Sequence, residues 1–418
     1  MTTVPLSDLT RTFARIGCLS FGGPAAQIAL MHRVVLDERR WVGEAEYLRA
    51  LSFCMLLPGP EAMQLATWIG WRLHGIRGGL IAGGLFVLPG ALVVLGLSAT
   101  YAALGQVPLV AALFTGVQAA VIAIVVEALI RLARRALKGR EALLIALAAF
   151  AGLYLLQLPF PLIILAAGIW GYMRSRGEAA DTPQPQRAAL APAMRAVGIG
   201  LAAWALPLGA VLVWAPQRIG EIGLFFSKLA VLTFGGAYAV LAWMAQEVVS
   251  AKNWLTLPQM MDGLGLAETT PGPLILVTEF VGYMAGHGEG GWPMGLAAAA
   301  LTLWVTFVPS FLFIFAGAPF VDRLTHLPRL SGALRAITAA VVGVIANLSL
   351  WFALHVLFGQ VGTLHLGPVQ MPLPDPASLR PLPAGLALLA AALLSRHWPL
   401  PLVLAVTAGL SALLALWP

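Results

Sequence analysis

Two proline-glycine-proline triplets, Pro58-Gly59-Pro60 and Pro271-Gly272-Pro273, stand 213 residues apart in apolar sequence. Proline suits the first turn of a helix, and glycine lets a ligand come close to the backbone. Each triplet therefore marks a helix start, where unpaired N–H groups and the positive dipole end make an anion site. A single triplet would read as a buried turn that ends a helix. Here the same 213-residue register also places Phe13 on Phe226, Phe21-Gly22-Gly23 on Phe234-Gly235-Gly236, Met31 on Met244 and Trp41 on Trp254. Two backbone-breaking motifs that recur together favour a site. The chemistry they suggest is recognition of a small anion through backbone N–H groups.

The side chains around the breaks divide into polar and acidic. Gln27, Gln64, Tyr238, Thr269, Thr270 and Thr278 are suited to hydrogen-bonding an oxyanion, or to satisfying backbone groups freed where a helix is interrupted. Glu61 follows the first triplet, Glu268 precedes the second, and Glu279 lies six residues beyond Pro273. An ionisable residue inside a membrane span is functional by default, and proton coupling is the role these carboxylates suggest. Glu61 reads equally well as an acid stabilised by the helix start beside it, and Glu268 is slightly preferred as the carrier. Glu127 has the weakest claim, because Arg131 stands four residues on.

The composition fixes the setting. With 60% hydrophobic and 10% charged residues, the chain is a polytopic membrane protein. The basic balance reports topology and does not indicate nucleic-acid binding. Cys18 and Cys54 imply no disulfide framework, and residues 1–15 lack the pattern of a cleavable signal peptide. The histidines show no metal-ligand spacing, and no phosphate loop is present, so neither metal nor cofactor is expected.

Taken in order, residues 9–36 form a helix interrupted at Phe21-Gly22-Gly23-Pro24, and residues 44–73 form another interrupted at the first triplet. Both read as re-entrant hairpins. Spans near 79–104 and 107–130 follow, then a basic loop with Arg131, Arg134, Arg135, Lys138 and Arg140. Residues 141–173 make a helical hairpin about Leu158-Pro159. An extra span near 196–215 precedes the second copy, whose spans lie near 293–318 and 334–357; a Pro-rich loop, 359–382, and a closing hairpin, 383–417, complete it. Beyond the tips the register lengthens to 220, Ala119-Ala120-Val121 meeting Ala339-Ala340-Val341; the Gly-rich stretch Gly286–Gly291 is the expected insertion.

The expected fold is an all-α polytopic membrane protein of two inverted-topology repeats, with broken, re-entrant helices meeting at the bilayer midplane. Residues 1–173 form the first repeat, 174–195 a polar linker, 196–221 the extra span that inverts the topology, and 222–418 the second repeat. Arginines at 33, 39, 40, 49, 72 and 77 crowd the first copy's tips, against Lys228 and Lys252 in the second, as inversion requires. Inverted repeats with broken helices at matching places are the signature of secondary transporters.

The motifs Phe21-Gly22-Gly23-Pro24, Leu56-Leu57-Pro58-Gly59-Pro60-Glu61-Ala62, Gly70-Trp71-Arg72-Leu73-His74-Gly75, Phe234-Gly235-Gly236 and Thr270-Pro271-Gly272-Pro273 resemble the chromate ion transporter family, in its long two-domain form. The resemblance covers about 9–173 and 222–417. It implies a bacterial inner-membrane protein that exports chromate, a dianion shaped like sulfate, using the proton motive force. The second copy departs from the first at Ala237, which stands where the first has Pro24. The expected partners are the oxyanion, protons and the lipid bilayer, with homodimer formation left open. A channel or exchanger for another anion such as sulfate is the nearest rival. An intramembrane enzyme acting on a lipid phosphate is the rival from another class, and no grouping of His, Ser and Asp supports it.

Inversion is testable by topology. A reporter placed at Gly43 should read cytoplasmic and one at Asn253 periplasmic, and matching readings would sink the inverted arrangement.

Overall fold

The computed structural model describes residues 4–21, 23–105, 107–175, 190–234, 237–321, 327–367 and 369–416. Among the described residues the regular structure is all-helical apart from one β-hairpin. Helices α1 (Leu6–Leu19), α2 (Gly23–His32), α3 (Glu44–Leu56), α4 (Glu61–Leu104), α5 (Pro108–Ala136), α6 (Arg140–Tyr154) and α7 (Phe160–Arg174) build the first copy. The extra span is α8 (Leu190–Trp214). The second copy comprises α9 (Gln217–Leu232), α10 (Ala237–Gln246), α11 (Leu257–Thr269), α12 (Val277–Gly317), α13 (Pro328–Leu357), α14 (Pro381–Ser395) and α15 (Leu400–Leu416). Among the described residues five helices are long and apolar enough to cross a membrane: α4, α5, α8, α12 with its flanking turns, and α13. The polar linker's central residues, 176–189, and Gly22, Gly235 and Gly236 lie outside the described residues.

The two copies agree in local detail. Each carries a π-helical turn after the Phe-Gly-Gly arm, Arg33–Glu38 and Glu247–Ala251. After it comes a non-glycine residue in the left-handed region, Arg40 at φ 53° and Asn253 at φ 51°. A cation lies over the tryptophan beyond, Arg39 over Trp41 and Lys252 over Trp254. α4 and α12 each fold back on themselves at an internal break. Its residues are His74 (φ −139°, ψ 24°) and Gly75 (φ 61°, ψ −152°) in one, Gly290 (φ −150°, ψ 27°) and Gly291 (φ 69°, ψ −160°) in the other.

That equivalence corrects the expected insertion. Gly75 and Gly291 stand 216 residues apart, so the stretch Gly286–Gly291 matches Gly70–Gly75 and is not inserted. The first three extra residues are the 3-10 turn Leu274–Leu276, which precedes α12 and has no counterpart before α4. The step from 216 to 220 follows later, since α5 starts at Pro108 and α13 at Pro328. A helix absorbs whole turns without changing which face it presents, so a four-residue shift leaves the packing pattern intact.

The Pro-rich loop also differs from expectation. Val361–Leu366 and Val369–Pro374 pair antiparallel, with Pro372 opposite Thr363 and Pro374 opposite Val361. A two-stranded ribbon has an unpaired edge on each strand, and proline, lacking an N–H, is accepted there.

The chain forms two compact units, each drawing on both copies. Unit 1 is Met1–Ala102, Glu178–Ala237 and Leu266–Pro328; unit 2 is Ala103–Gly177, Tyr238–Gly265 and Arg329–Pro418. In unit 1, α12 packs on α8 and α9. The outer face of α8 carries exposed apolar side chains, including Met194 and Trp214, as suits contact with lipid. In unit 2, α5 packs on α14 and α15 around Ala120, Ile124, Ala390 and Leu404. Ala149, Ala167 and Ala340 join α6, α7 and α13. Such small residues let helices approach closely where lipid supplies no hydrophobic drive between them.

Candidate functional site

Unit 1 gathers the four tips, and it pairs them across the copies. α1 ends at Leu19, where the Ser20 hydroxyl donates back to Ile16 O at 2.6 Å. α9 ends at Leu232, where Thr233 repeats that bond to Leu229 O, also at 2.6 Å. The residue after each helix leaves its carbonyl without an intrahelical partner. Those two carbonyls are taken by the opposite triplets. Gly59 N–H donates to Thr233 O at 2.8 Å, and Gly272 N–H donates to Ser20 O at 2.9 Å. Proline has no N–H, so glycine supplies the one amide of each triplet, and both amides are engaged in this reciprocal pairing.

Glycine is required in both triplets. Gly59 has φ 120° and Gly272 φ 91°, a region that side chains make costly. A Cβ on Gly59 would also stand 2.5 Å from Ser310 Oγ and 2.7 Å from Gln64 Nε2. The second triplet rests on α4, where a Cβ on Gly90 would strike the Pro271 carbonyl. Each tip thus leans on the long helix of the other copy.

Two glutamines brace the arrangement. Gln27 Nε2 donates to Gly272 O at 2.7 Å and to Ser20 O at 3.2 Å, binding a Phe-Gly-Gly tip to the opposite triplet. Gln64 Nε2 donates to Pro58 O at 2.7 Å. Both amide oxygens are buried without a partner.

The expected anion donors are redistributed by this geometry. The triplet amides are occupied, so the open N–H groups are those of the first helical turns beyond them. α4 starts at Glu61, and Gln64 N–H closes its first turn on Pro60 O at 3.0 Å. The buried amides of Ala62 and Met63 lie within that turn. In the second copy Leu276 N–H closes on Pro273 O at 2.9 Å, and Leu274 and Ile275 precede it, both buried. Thr269, Thr270 and Thr278 donate their hydroxyls to the carbonyls three residues back, at 2.8, 3.1 and 2.7 Å. Their role is to satisfy backbone freed by the breaks. Phe21 is 43% exposed, and Phe234 is half-buried. Tyr238 is half-buried and begins the unit 2 segment Tyr238–Gly265.

The carboxylates separate clearly. Glu61 and Glu268 are partly exposed, and each has an interaction partner. Glu279 is 1% exposed, and neither of its oxygens has a hydrogen-bond partner. The fold of α12 on itself lays Gly282 against Thr302. Thr302 and Thr306, on the arm that packs back, have buried hydroxyls that are likewise without a hydrogen-bond partner. Thr302 and Thr306 were not legible as site residues, although two threonines four apart in an apolar span were the available signal. Elsewhere, Arg72 pairs with Glu46 and Arg131 with Glu127, both at 2.6 Å on exposed surface, as expected of boundary residues.

Substitution tests the tips directly. Gly59→Val or Gly272→Val should abolish transport while the protein still inserts, because strain and steric conflict fall on the tips alone. Gln27→Leu should deprive the Gly272 carbonyl of its side-chain donor, at about 1–3 kcal/mol, while Ser20 O keeps the Gly272 N–H, and should lower the thermal midpoint of the purified protein. Wild-type transport by both glycine variants would reduce the triplets to structural turns.

The description of the chromate transporter family matches residues 7–172 and again 220–413. The chromate transport protein of Cupriavidus metallidurans is 31% identical over 357 residues, covering 82% of this chain and 82% of that protein. The chromate transport protein of Pseudomonas aeruginosa is 34% identical over 346 residues, covering 81% and 79%. A probable chromate transport protein of Synechococcus elongatus is 31% identical over 343 residues, covering 82% and 83%. No solved structure matches the chain.

Proposed function

Because the chain belongs to the chromate transporter family, we propose that it is a secondary transporter of chromate, located in a bacterial inner membrane and exporting the dianion at the expense of a proton gradient. One observation carries this reading. The reciprocal bonds Gly59–Thr233 and Gly272–Ser20 hold two helix starts together inside one unit. Each start offers first-turn N–H groups and a positive dipole end to the same kind of ligand, a small dianion. Tetrahedral oxygens of chromate accept such bonds, and sulfate would compete on the same geometry. Repeats related by an inverting twofold axis would make this reciprocal pairing, and the scarcity of Arg and Lys around the second copy's tips agrees with inversion.

Glu279 is the proposed proton carrier, in place of the Glu268 preferred from sequence. It alone of the three carboxylates is fully enclosed and without a partner that would compete for its proton. Thr302 and Thr306, whose buried hydroxyls are also without a partner, lie on the arm of α12 that packs back on the arm carrying Glu279. Anion and proton occupancy are then linked, and the linkage is reciprocal. As the two halves rock, the tips release chromate when the proton is exchanged.

Labelled chromate uptake into everted vesicles tests the whole reading. Wild type should accumulate chromate only with a proton gradient. Glu279→Gln should still bind chromate yet lose gradient-driven accumulation, whereas Glu61→Gln and Glu268→Gln should retain it. Coupled uptake by Glu279→Gln would remove that residue from the mechanism, and flux that follows voltage alone would favour a channel.

A further inference from the structure

Unit 2 contains a cavity of about 300 Å³ beneath the β-hairpin. Its polar lining comes from five elements: Gln157 beyond α6, Gln246 and Ser250 around the end of α10, Asn347 and His355 on α13, Thr363 on the first strand and Gln370 on the second. Tyr154 and Trp351 add aromatic walls. No carboxylate, lysine or arginine is among the lining residues.

The repeat shows how this lining arose. In the 213-residue register Gln246 and Ser250 stand where the first copy has Arg33 and Asp37; in the 220-residue register Asn347 stands where it has Glu127. At these positions the second copy has neutral amides and a hydroxyl where the first has two carboxylates and an arginine, so the lining carries no charge of either sign and keeps groups that can donate to an anion. His355 Nδ1 lies 2.9 Å from Trp351 O, and a carbonyl only accepts, so Nδ1 carries hydrogen and Nε2 is left for another partner.

The roof is fastened at two points. Gln370 N–H donates to Leu155 O at 2.9 Å, and the Tyr154 hydroxyl donates to Pro372 O at 3.3 Å. Between them Gln157 holds φ 49°, a left-handed conformation that a non-glycine residue keeps only where its surroundings enforce it. Its side chain donates to Tyr154 O at 3.3 Å. The strained residue, the anchored strands and the carboxylate-free lining coincide in one cavity.

We propose that this cavity is a second oxyanion site, which takes a sulfate-like tetrahedral dianion together with part of its hydration shell. The space exceeds what the bare ion fills, and each retained water needs about 30 Å³. Neutral amide and hydroxyl donors then replace the remaining shell without a countercharge. The inference rests on the oxyanion reading of the transporter but concerns different residues.

Equilibrium binding of labelled sulfate to the purified full-length protein in nanodiscs tests it. Wild type should bind two equivalents per chain. Asn347→Leu combined with Gln370→Leu should remove one equivalent, or weaken it about tenfold or more, and leave the other unchanged. Gln370→Leu alone, which keeps the backbone tie to Leu155, should weaken the same equivalent if the double variant fails to fold. Gly59→Val should remove the complementary equivalent. A single equivalent in wild type that Gly59→Val abolishes, or two retained by the double variant, would overturn the second site. Binding of glucose that the double variant loses, with sulfate binding untouched, would overturn it in favour of a neutral polyol site. If the double variant loses all sulfate binding while Gly59→Val loses none, the second site stands and the tip reading falls.

Discussion

A broken helix at bilayer depth leaves backbone N–H and C=O groups that no water can satisfy, each unsatisfied group costing several kcal/mol. This chain breaks its helices in matching places in both copies, and it meets the constraint by exchange. The carbonyl left at the end of α1 accepts the amide of the second triplet, and the carbonyl left at the end of α9 accepts the amide of the first. Neither copy can complete its own tips. The requirement explains why the two copies must meet, and why glycine stands at the centre of each triplet. It also assigns Ser20 and Thr233, whose hydroxyls turn inward on their own helices and leave their carbonyls to the partner tip.

The exchange is symmetrical in the backbone and asymmetrical in the side chains. Gln27 binds the second triplet, but its counterpart in the 213-residue register is Val240. Gly59 leans on Ser310, whereas the second triplet leans on Gly90. Glu61 opens α4, whereas a 3-10 turn of Leu274–Leu276 opens the descent to α12 and carries no acid. Once duplicated, the scaffold could keep its hydrogen-bonded frame while each copy's polar groups diverged. The enclosed carboxyl of Glu279 stands in one copy alone, and the uncharged lining of the unit 2 cavity likewise differs from the charged residues at matching positions of the first copy.

Much of the architecture was legible because it rests on strong local signals. Proline and glycine marked the breaks, apolar length marked the five spans, and the paired motifs fixed the repeat. The Gly-rich stretch Gly286–Gly291 misled because glycines suggest an insertion, whereas the structure uses them as the counterpart of the break at His74 and Gly75. The Pro-rich segment hid a hairpin because prolines on the outer edge of a two-stranded ribbon look like those of a loop. The site was less legible than the fold. Residue types pointed to the triplet amides and the threonine hydroxyls, but whether a donor is available depends on what it already binds. That is decided by long-range pairing, 174 residues apart for Gly59 and Thr233 and 252 apart for Gly272 and Ser20. For the same reason Glu279 could not be ranked above Glu268 from the order of residues alone.

Everything in this account depends on the crosswise pairing of the tips, and solid-state NMR on the protein in lipid bilayers can measure it. The backbone nitrogen of Gly59 would be labelled with ¹⁵N and the carbonyl carbon of Thr233 with ¹³C, and likewise Gly272 with Ser20. The account predicts strong dipolar coupling within both pairs, at the short separation of a hydrogen-bonded amide and carbonyl. Coupling of Gly59 to Ser20 and of Gly272 to Thr233, or no coupling in either pair, would contradict it.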